Sequence, residues 1–344
     1  MNPRVEVIVP CSNHGHLLES CVRSVLSQEK VEVRVVIIDD ASTDATEQVG
    51  RRLASLDSRV EYRRHQVRRG HVATCNEGLA QLTAAFCLLL TADDLLTPGS
   101  LMRATRLMTA HPEVGLTYGR DITFTHSAPF GAARSGEHCG HRIMGYSAFL
   151  YRSCRLGQTP IQSSTAVVRT SLHRQVGNYL PDLPHTGSTE VCLRLAAHAA
   201  VCELDADQAF RRVRADTMNP DHTPLRHFAE QKKAFDVHFN AYRRVRPEIA
   251  SLEPILNRTI GQAAFWRGAR AFDDNDVRLC DAYLACAAAT WPDLASWEPF
   301  RQFRWKRRIG PVGSRWVETL AVRIRAGAFW RGRAAGIGSG VAAR

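Results

Sequence analysis

The chain has 344 residues, a formal net charge of +11 and 44% apolar side chains. A chain of this length and apolar content can bury most of its unfolded surface, which excludes a largely disordered protein and predicts about two domains. Its apolar stretches, such as residues 86–90, are far shorter than the roughly 20 residues of a membrane-spanning helix.

The first residues lack the basic region, apolar helix and cleavage site of a secretory signal, so the sequence predicts a cytoplasmic protein. Its ten cysteines are scattered without a C-x-x-C pair. We interpret them as small apolar side chains in a reducing compartment. The cluster at residues 137–141 is either a zinc site or a polar loop, and the lack of a second ligand pair favours the loop.

Short β-rich runs alternate with helical patterns from residue 4 to about residue 125. The predicted strands are residues 5–10, 31–40, 60–64, 86–90 and 114–119, and helices are predicted between them. Strands that alternate with helices predict βαβ units, and therefore an α/β fold with a doubly wound, mostly parallel sheet.

Two acidic pairs follow predicted strands of this sheet. Asp39 and Asp40 end the second strand, and Asp93 and Asp94 follow the fourth. Ligands of such sheets bind outside the carboxyl ends of the strands. Carboxylates are also the protein ligands that Mg²⁺ and Mn²⁺ prefer in a nucleoside diphosphate site.

The second half of the chain has weaker patterns. Residues 126–160 have little periodicity and are predicted to form a long loop over the site. Residues 164–169 and 201–213 are predicted strands, with a helix at 190–199 between them. Helices are predicted from about residue 220 onward, before a disordered tail at 336–344.

Three motifs, in this order and spacing, carry a family resemblance. They are VIVPCSNHGHLLESCVRSVLSQ (7–28), VVIIDDASTDAT (35–46) and LLLTADDLLTPGSL (88–101), supported by GHVATCNEGL (70–79) and CLRLAAHAAV (192–201). The chain resembles the nucleotide-sugar glycosyltransferases of family two, with the A-type glycosyltransferase fold, over residues 4–215. The absence of a GxGxxG motif and of a P-loop argues against a dehydrogenase or a phosphate-loop nucleotidase.

The resemblance implies a glycosyltransferase domain at residues 1–218, with a nucleotide-binding half (1–125) and an acceptor half (126–218), followed by a helical region at 219–335. It implies transfer of a sugar from a nucleoside diphosphate sugar to an acceptor hydroxyl, with inversion and with Mg²⁺ or Mn²⁺. The alternative is a catalytically impaired relative that serves as a binding or partner subunit. The acceptor, whether glycan, lipid or small molecule, is left open.

The resemblance also assigns site residues by position. Those implied to bind the nucleotide are Pro10, Ser12, Asp39, Asp40, Gly70, Asp93 and Arg214, and those implied to bind the metal are Asp93 and Asp94. The chain departs from the family pattern at three of the matched positions. Thr91 stands where many relatives have an acid, Cys75 where many have arginine, and Arg214 where many have histidine.

The general base is the largest departure, because Ser188 stands where the family has an aspartate. A serine hydroxyl needs an activating partner to act as a base. Glu190 is the predicted substitute, and Asp182 and His185 are the other candidates. The competing interpretation of Glu190 is a charge that complements the dipole at a helix N-terminus.

The positive charge is concentrated at the C-terminus. Residues 300–344 carry eleven basic side chains and one acidic one, which leaves the other 299 residues at a net +1. Aromatic residues interleave with these arginines. Residues 300–333 therefore either bind an anionic membrane surface, at the inner face of the membrane, or pack on the domain with their arginines in water. A membrane-associated scaffold is a further functional alternative, whereas specific nucleic-acid binding is not predicted.

Overall fold

The computed structural model describes residues 2–125, 133, 136, 139–213 and 224–310. The chain divides into two compact units, Met1–Leu256 and Asn257–Arg344. The sequence places its domain boundary earlier, at residues 218/219, which lie outside the described residues. Helix α8 (Pro224–Tyr242) belongs to the first unit because it packs on helix α7 (Gly187–His198).

The first unit is built on a sheet that has nine strands in the described part of the chain. The strands are β1 (Arg4–Cys11), β2 (Glu32–Asp39), β3 (Val60–Arg64), β4 (Phe86–Leu89), β5 (Leu95–Leu96), β6 (Val114–Phe124), β7 (His141–Met144), β8 (Val167–Arg169) and β9 (Ala200–Arg212). The order across the sheet is β3-β2-β1-β4-β8-β6-β9-β5, with β7 paired to β9.

Helices connect and cover these strands. They are α1 (Gly15–Leu26), α2 (Thr46–Leu56), α3 (His71–Ala80), α4 (Ser100–Ala110), α5 (Tyr146–Leu156), α6 (Thr170–Val176), α7 and α8. Helix α1 shows why the sequence folds this way, because Leu18, Cys21, Val22 and Val25 recur at helical spacing and are buried. Seven of the eight residues of β1 are buried, as expected for a central strand of a parallel sheet covered on both faces.

The α/β class is confirmed, and the sheet has two parts. Strands β3, β2, β1 and β4 are parallel, as the βαβ pattern predicts. Beyond β4 the sheet is mixed, because β8 pairs antiparallel with both β4 and β6 while β6 and β9 are parallel. The parallel character that the sequence predicts for most of the sheet therefore belongs to its N-terminal part.

The long loop predicted at residues 126–160 is wrong over its second half. Strand β7 and helix α5 occupy residues 141–156 of this segment. The buried face of α5 consists of Phe149, Leu150, Ser153 and Cys154 together with Tyr146. Because this face mixes apolar and polar side chains, the sequence shows only a weak helical period of apolar residues. The helix is stabilised by packing of this face in the tertiary structure.

All ten cysteines are free and lie in the described residues, and eight of them are buried. This agrees with their interpretation as small apolar side chains. Within the zinc-or-loop cluster, Glu137 and His138 lie outside the described residues. Among the described residues, no group of three histidine, cysteine, aspartate or glutamate side chains could hold a metal ion.

The described part of the second unit, which ends at residue 310, is helical, as the sequence predicts for the C-terminal region. Helix α9 (Glu253–Asp273) enters it from the first unit, α10 (Val277–Thr290) follows, and residues 298–310 are also helical. Phe265 and Phe303 pack edge to face in its core. No helix within the described ranges is long and apolar enough to cross a membrane. The predicted disordered tail at 336–344 lies outside those ranges.

Candidate active site

The direction of the chain reverses in the sheet between β1 and β4. From β1 the chain moves to β2 and then β3 on one side, and it returns to β4 on the other side of β1. In open α/β sheets, the ends of two strands at such a switch point leave a crevice in which ligands bind. Here the crevice begins at Pro10 of β1 and at Leu90 and Thr91 after β4.

Hydrogen bonds tie together the loops that follow β1 and β2. The Asn13 amide donates to the Ser42 hydroxyl (2.9 Å), and the Thr43 amide donates to the Asn13 side-chain oxygen (2.8 Å). The Gly15 amide donates to the Asp44 carboxylate at 3.0 Å. The half-buried Ser12, a predicted nucleotide contact, is thus carried on a loop that two strands fix.

Asp40 is 4% exposed and organises the start of α3. Its two carboxylate oxygens accept hydrogen bonds from the Arg69 amide (2.7 Å) and the Gly70 amide (2.9 Å), and the His65 ring lies 2.8 Å away. Burial alone would raise the pKa of Asp40, but these hydrogen bonds outweigh it and lower the pKa. Asp40 is therefore a charged group that shapes the turn at Gly70, whose φ of +87° suits glycine.

Asp39 is fully buried and faces other protein groups. The Ser42 amide donates to one carboxylate oxygen at 2.9 Å, and the Tyr62 hydroxyl donates to the other at 2.6 Å. Arg64 forms an ion pair with the latter oxygen at 3.2 Å. In this arrangement Asp39 joins β2 to β3, and because it is fully buried, contact with a nucleotide would require the side chains around it to move.

Asp93 and Asp94 differ in environment. Asp93 is half-buried, whereas Asp94 is 4% exposed. The carboxylate of Asp94 accepts hydrogen bonds from the Arg212 amide (3.0 Å), from the Thr91 hydroxyl (3.3 Å) and from the Ser164 hydroxyl. Burial, together with the neighbouring Asp93 charge, raises the pKa of Asp94 to about 6 despite these bonds. Asp94 thus fastens the end of β4 to β9 and to the 3₁₀ turn Ser163–Thr165.

A cavity of about 280 Å³ opens at the switch point. Its lining includes Pro10, Thr91, Cys75 and Ser188, together with His71 and His185. A second hollow of about 590 Å³ shares His71, Val72 and Pro184 with the first and reaches Gly70. The turn that Asp40 holds therefore borders the space in which a ligand could lie.

Part of the cavity lining comes from the segment that leads into α7. The Asn76 side chain of α3 fixes this segment, because it donates to the Tyr179 carbonyl and accepts from the Tyr179 amide, both at 2.9 Å. Ser188, in the first turn of α7, is half-buried and faces the cavity. The structure thus brings the position of the family's base into the same cavity as the ends of β1 and β4.

Glu190 does not line this cavity. It is 2% exposed, and both its carboxylate oxygens accept hydrogen bonds from the Arg194 guanidinium at 2.7 Å. Arg194 also donates to the Val176 and Asn178 carbonyls. Glu190 would have to break its buried ion pair with Arg194 to act as a base. This ion pair argues against the predicted catalytic role of Glu190.

Two histidines line the cavity, and only one of them, His185, is a candidate base by sequence. His71 is the first residue of α3, and its ring nitrogen Nε2 lies 3.5 Å from the Cys75 sulfur. The available signal for His71 is a histidine next to the glycine that opens α3, but the orientation of its ring depends on packing. Arg214, predicted to contact phosphate, lies outside the described residues.

The family model of "Glycosyl transferase family 2" matches residues 6–177, which is half of the chain. The chain belongs to glycosyltransferase family 2. Its match covers the two strand-end acid pairs and the turn at Gly70, and it ends before the segment that leads into α7.

Relatives by sequence of this glycosyltransferase include an uncharacterised protein, MT1568, of Mycobacterium tuberculosis (26% identity; 62% of this chain and 69% of the relative). Another is a GalNAc(5)-diNAcBac-PP-undecaprenol beta-1,3-glucosyltransferase of Campylobacter jejuni, which is 34% identical over 29% of this chain. The chain spans 32% of the length of that enzyme.

Solved structures show the same fold at low sequence identity. S. aureus TarS 1-349, in complex with UDP-GlcNAc, aligns over 94% of this chain and 92% of its own with a TM-score of 0.61 and 16% identity. The mannosyltransferase PcManGT of Pyrobaculum calidifontis, in complex with GDP-Man and Mn²⁺, aligns over 94% and 87% with a TM-score of 0.51 and 19% identity.

Proposed function

We propose that this glycosyltransferase moves a sugar from a nucleoside diphosphate sugar to an acceptor hydroxyl in the cavity at the switch point. The observation that carries the proposal is the meeting of Pro10, Thr91 and Ser188 around one cavity, beside the turn that Asp40 orders. The solved relatives with UDP-GlcNAc and with GDP-Man support a donor of this class.

In the proposed complex, the diphosphate lies at the N-terminus of α3. The first amides of a helix have no acceptor within it, and the helix dipole favours an anion there. Asp40 already accepts the Arg69 and Gly70 amides, which fixes the direction of the amides that follow. The role of Asp40 is then to hold the phosphate-binding turn in place, next to Pro10 and Ser12 on the nucleoside side.

The family relationship also suggests a divalent cation, Mg²⁺ or Mn²⁺. Mg²⁺ is usually held by one or two carboxylates together with substrate phosphates, and the half-buried Asp93 fits that role better than Asp94 does. When bound, the cation neutralises charge on the leaving diphosphate. In our proposal, Asp94 keeps the loop that carries Asp93 attached to β9.

The reaction is proposed to be a single displacement. The acceptor oxygen attacks the anomeric carbon from the face opposite the diphosphate, so the configuration inverts. The segment 183–188, which lines the cavity together with the ends of β1 and β4, is the side from which we propose that an acceptor approaches.

A panel of UDP-, dTDP- and GDP-sugars tests the donor site by thermal shift and calorimetry, with and without Mn²⁺. A ligand that binds only the folded state raises the melting temperature. We expect one nucleotide class to bind, more tightly with Mn²⁺. If no member of the panel binds under either condition, the proposed function is overturned.

We also propose that the basic C-terminus meets an anionic membrane surface on the cytoplasmic side. The described part of this region has an exposed Trp305 (57%) beside several arginines, and residues 311–333 lie outside it. Sedimentation with anionic liposomes should survive Asp40→Ala and disappear when residues 300–344 are removed. Sedimentation that the truncation leaves unchanged would overturn this part of the proposal.

A further inference from the structure

Besides the hydroxyls of Thr91, Ser163 and Ser188, which need an activating partner to act as a base, four titratable side chains line the cavity. They are His71, Cys75, Tyr179 and His185; none of the described residues that line it carries a carboxylate. A displacement reaction needs one group that can take the proton of the acceptor hydroxyl. The position at which the family has that carboxylate is Ser188, so the base has to come from these four or from outside the cavity.

Two of the four are held in their protonated form. Burial raises the pKa of the Cys75 thiol to about 12, and it raises the pKa of the Tyr179 hydroxyl well above its usual value. Neither is an acceptor of protons near neutral pH. Only the two imidazoles remain within the cavity.

Carboxylates outside the cavity are less suited to act as the base than the two histidines. Glu190 gives both oxygens to Arg194, and Asp94 gives its oxygens to Arg212, Thr91 and Ser164. Asp182 is exposed and is not among the residues that line the cavity.

The two histidines lie on different sides. His71 begins α3, next to Gly70, which is the end of the cavity where we place the diphosphate. His185 lies three residues before Ser188, on the segment that forms the acceptor side. Desolvation lowers the pKa of His71, the Asp40 charge raises it, and the His185 charge lowers it further.

We propose that His185 is the catalytic base of the transfer, taking over the task of the carboxylate that Ser188 replaces. This inference rests on the proposed function. An unprotonated ring nitrogen of His185 accepts the acceptor O–H proton as that oxygen bonds to the anomeric carbon. The bond from that carbon to the diphosphate oxygen breaks, and the nucleoside diphosphate leaves with the electron pair. The imidazolium then returns its proton to water.

The test uses the full chain and water as the acceptor. Release of nucleoside diphosphate from UDP-GlcNAc and from GDP-mannose is measured for the wild type, His185→Ala and His185→Gln. We expect both variants to lose activity by about 100-fold or more, the usual contribution of a general base. Their dissociation constants for the donor, measured by calorimetry, should stay within about twofold of the wild type, since His185 lies on the acceptor side.

Two rescues separate a chemical role from a structural one. Added imidazole should restore part of the activity of His185→Ala, and Ser188→Asp in the same background should restore more by returning a carboxylate to the cavity. His111→Ala is the matched control, because His111 is paired with Glu113 beyond the end of α4. It should keep wild-type activity.

The outcomes distinguish this inference from the proposed function. If UDP-GlcNAc, GDP-mannose and the rest of the donor panel all fail to bind, the proposed function is overturned and this inference with it. If the wild type binds donor but releases no diphosphate, the inference is overturned while the donor site stands. Wild-type turnover in His185→Ala, or loss of activity that neither rescue restores, also overturns it.

Discussion

The carboxylate of Asp40 accepts a hydrogen bond of 2.9 Å from the amide of Gly70, thirty residues further along the chain. This contact connects the carboxyl end of β2 to the start of α3, across the crevice side of the sheet. Asp40, an acid that follows a strand in the sequence, therefore fixes the backbone of Gly70 at the proposed phosphate site.

Asp40→Asn should therefore weaken donor binding. The NH₂ group of asparagine cannot accept the backbone hydrogen bond that a carboxylate oxygen of Asp40 accepts. Leaving that buried amide unpaired costs about 1–3 kcal/mol of stability. We expect the dissociation constant for the donor to rise at least about tenfold in calorimetry. Asp57→Asn is a matched control, since Asp57 pairs with Arg59 just before β3, at the opposite end of that strand from the crevice. Unchanged binding in Asp40→Asn would contradict the role of this turn.

Asp93 and Asp94 should respond differently to substitution. Asp93→Asn should remove most of the Mn²⁺ dependence of donor binding and leave stability near that of the wild type. Asp94→Ala should lower the free energy of unfolding by about 1–3 kcal/mol, because the Arg212 amide and the Ser164 hydroxyl lose their acceptor. Calorimetry with and without Mn²⁺ and denaturant unfolding measure the two effects. Equal loss of stability in both variants would argue against a metal-binding role for Asp93 and a structural role for Asp94.

Glu190→Gln should act mainly on stability. It leaves the Arg194 guanidinium, whose side chain is 15% exposed, without its ion-pair partner. Breaking a buried pair in this way costs about 3–5 kcal/mol, measurable by urea unfolding. Glu32→Gln, in an exposed pair with Arg4, should change stability little. A Glu190→Gln chain with wild-type stability but no turnover would instead support Glu190 as the base.

Acid should destabilise the first unit through His238. This side chain is buried, and burial followed by the Arg194 charge lowers its pKa to about 3, from 6.5. Below pH 6.5 His238 binds a proton in the unfolded chain but not in the folded chain. The free energy of unfolding therefore decreases as the pH is lowered, until the pH reaches the pKa of His238 in the folded chain. The contribution is about 1.4 kcal/mol per pH unit.

His238→Gln should remove this contribution. Its unfolding free energy should fall less steeply than that of the wild type from about pH 6 toward pH 4. The comparison between the two chains cancels the opposite effect of Asp94, whose raised pKa makes the folded state bind a proton first as pH falls. Parallel pH profiles of the two chains would show that His238 is not the source.

The sequence by itself determined the parallel part of the fold. Val and Ile runs followed by amphipathic helices dictate βαβ units, and these place the acids after β2 and β4 at one edge whatever the rest of the chain does. Helix α5 is not predicted by the sequence, because its buried face mixes apolar and polar side chains and its stability depends on tertiary contacts.

The tertiary structure alone decided what each acid does. Asp39, Asp40, Asp94 and Glu190 look alike in sequence, yet their partners include Arg64, the Gly70 amide, the Arg212 amide and Arg194. A carboxylate takes its role from the donors within about 3 Å of it, and here those donors come from distant parts of the chain or from the packing of a helix. For the same reason, the presence of His71 and His185 in one cavity follows from the packing of α3 against residues 178–188 and is not encoded in any local motif.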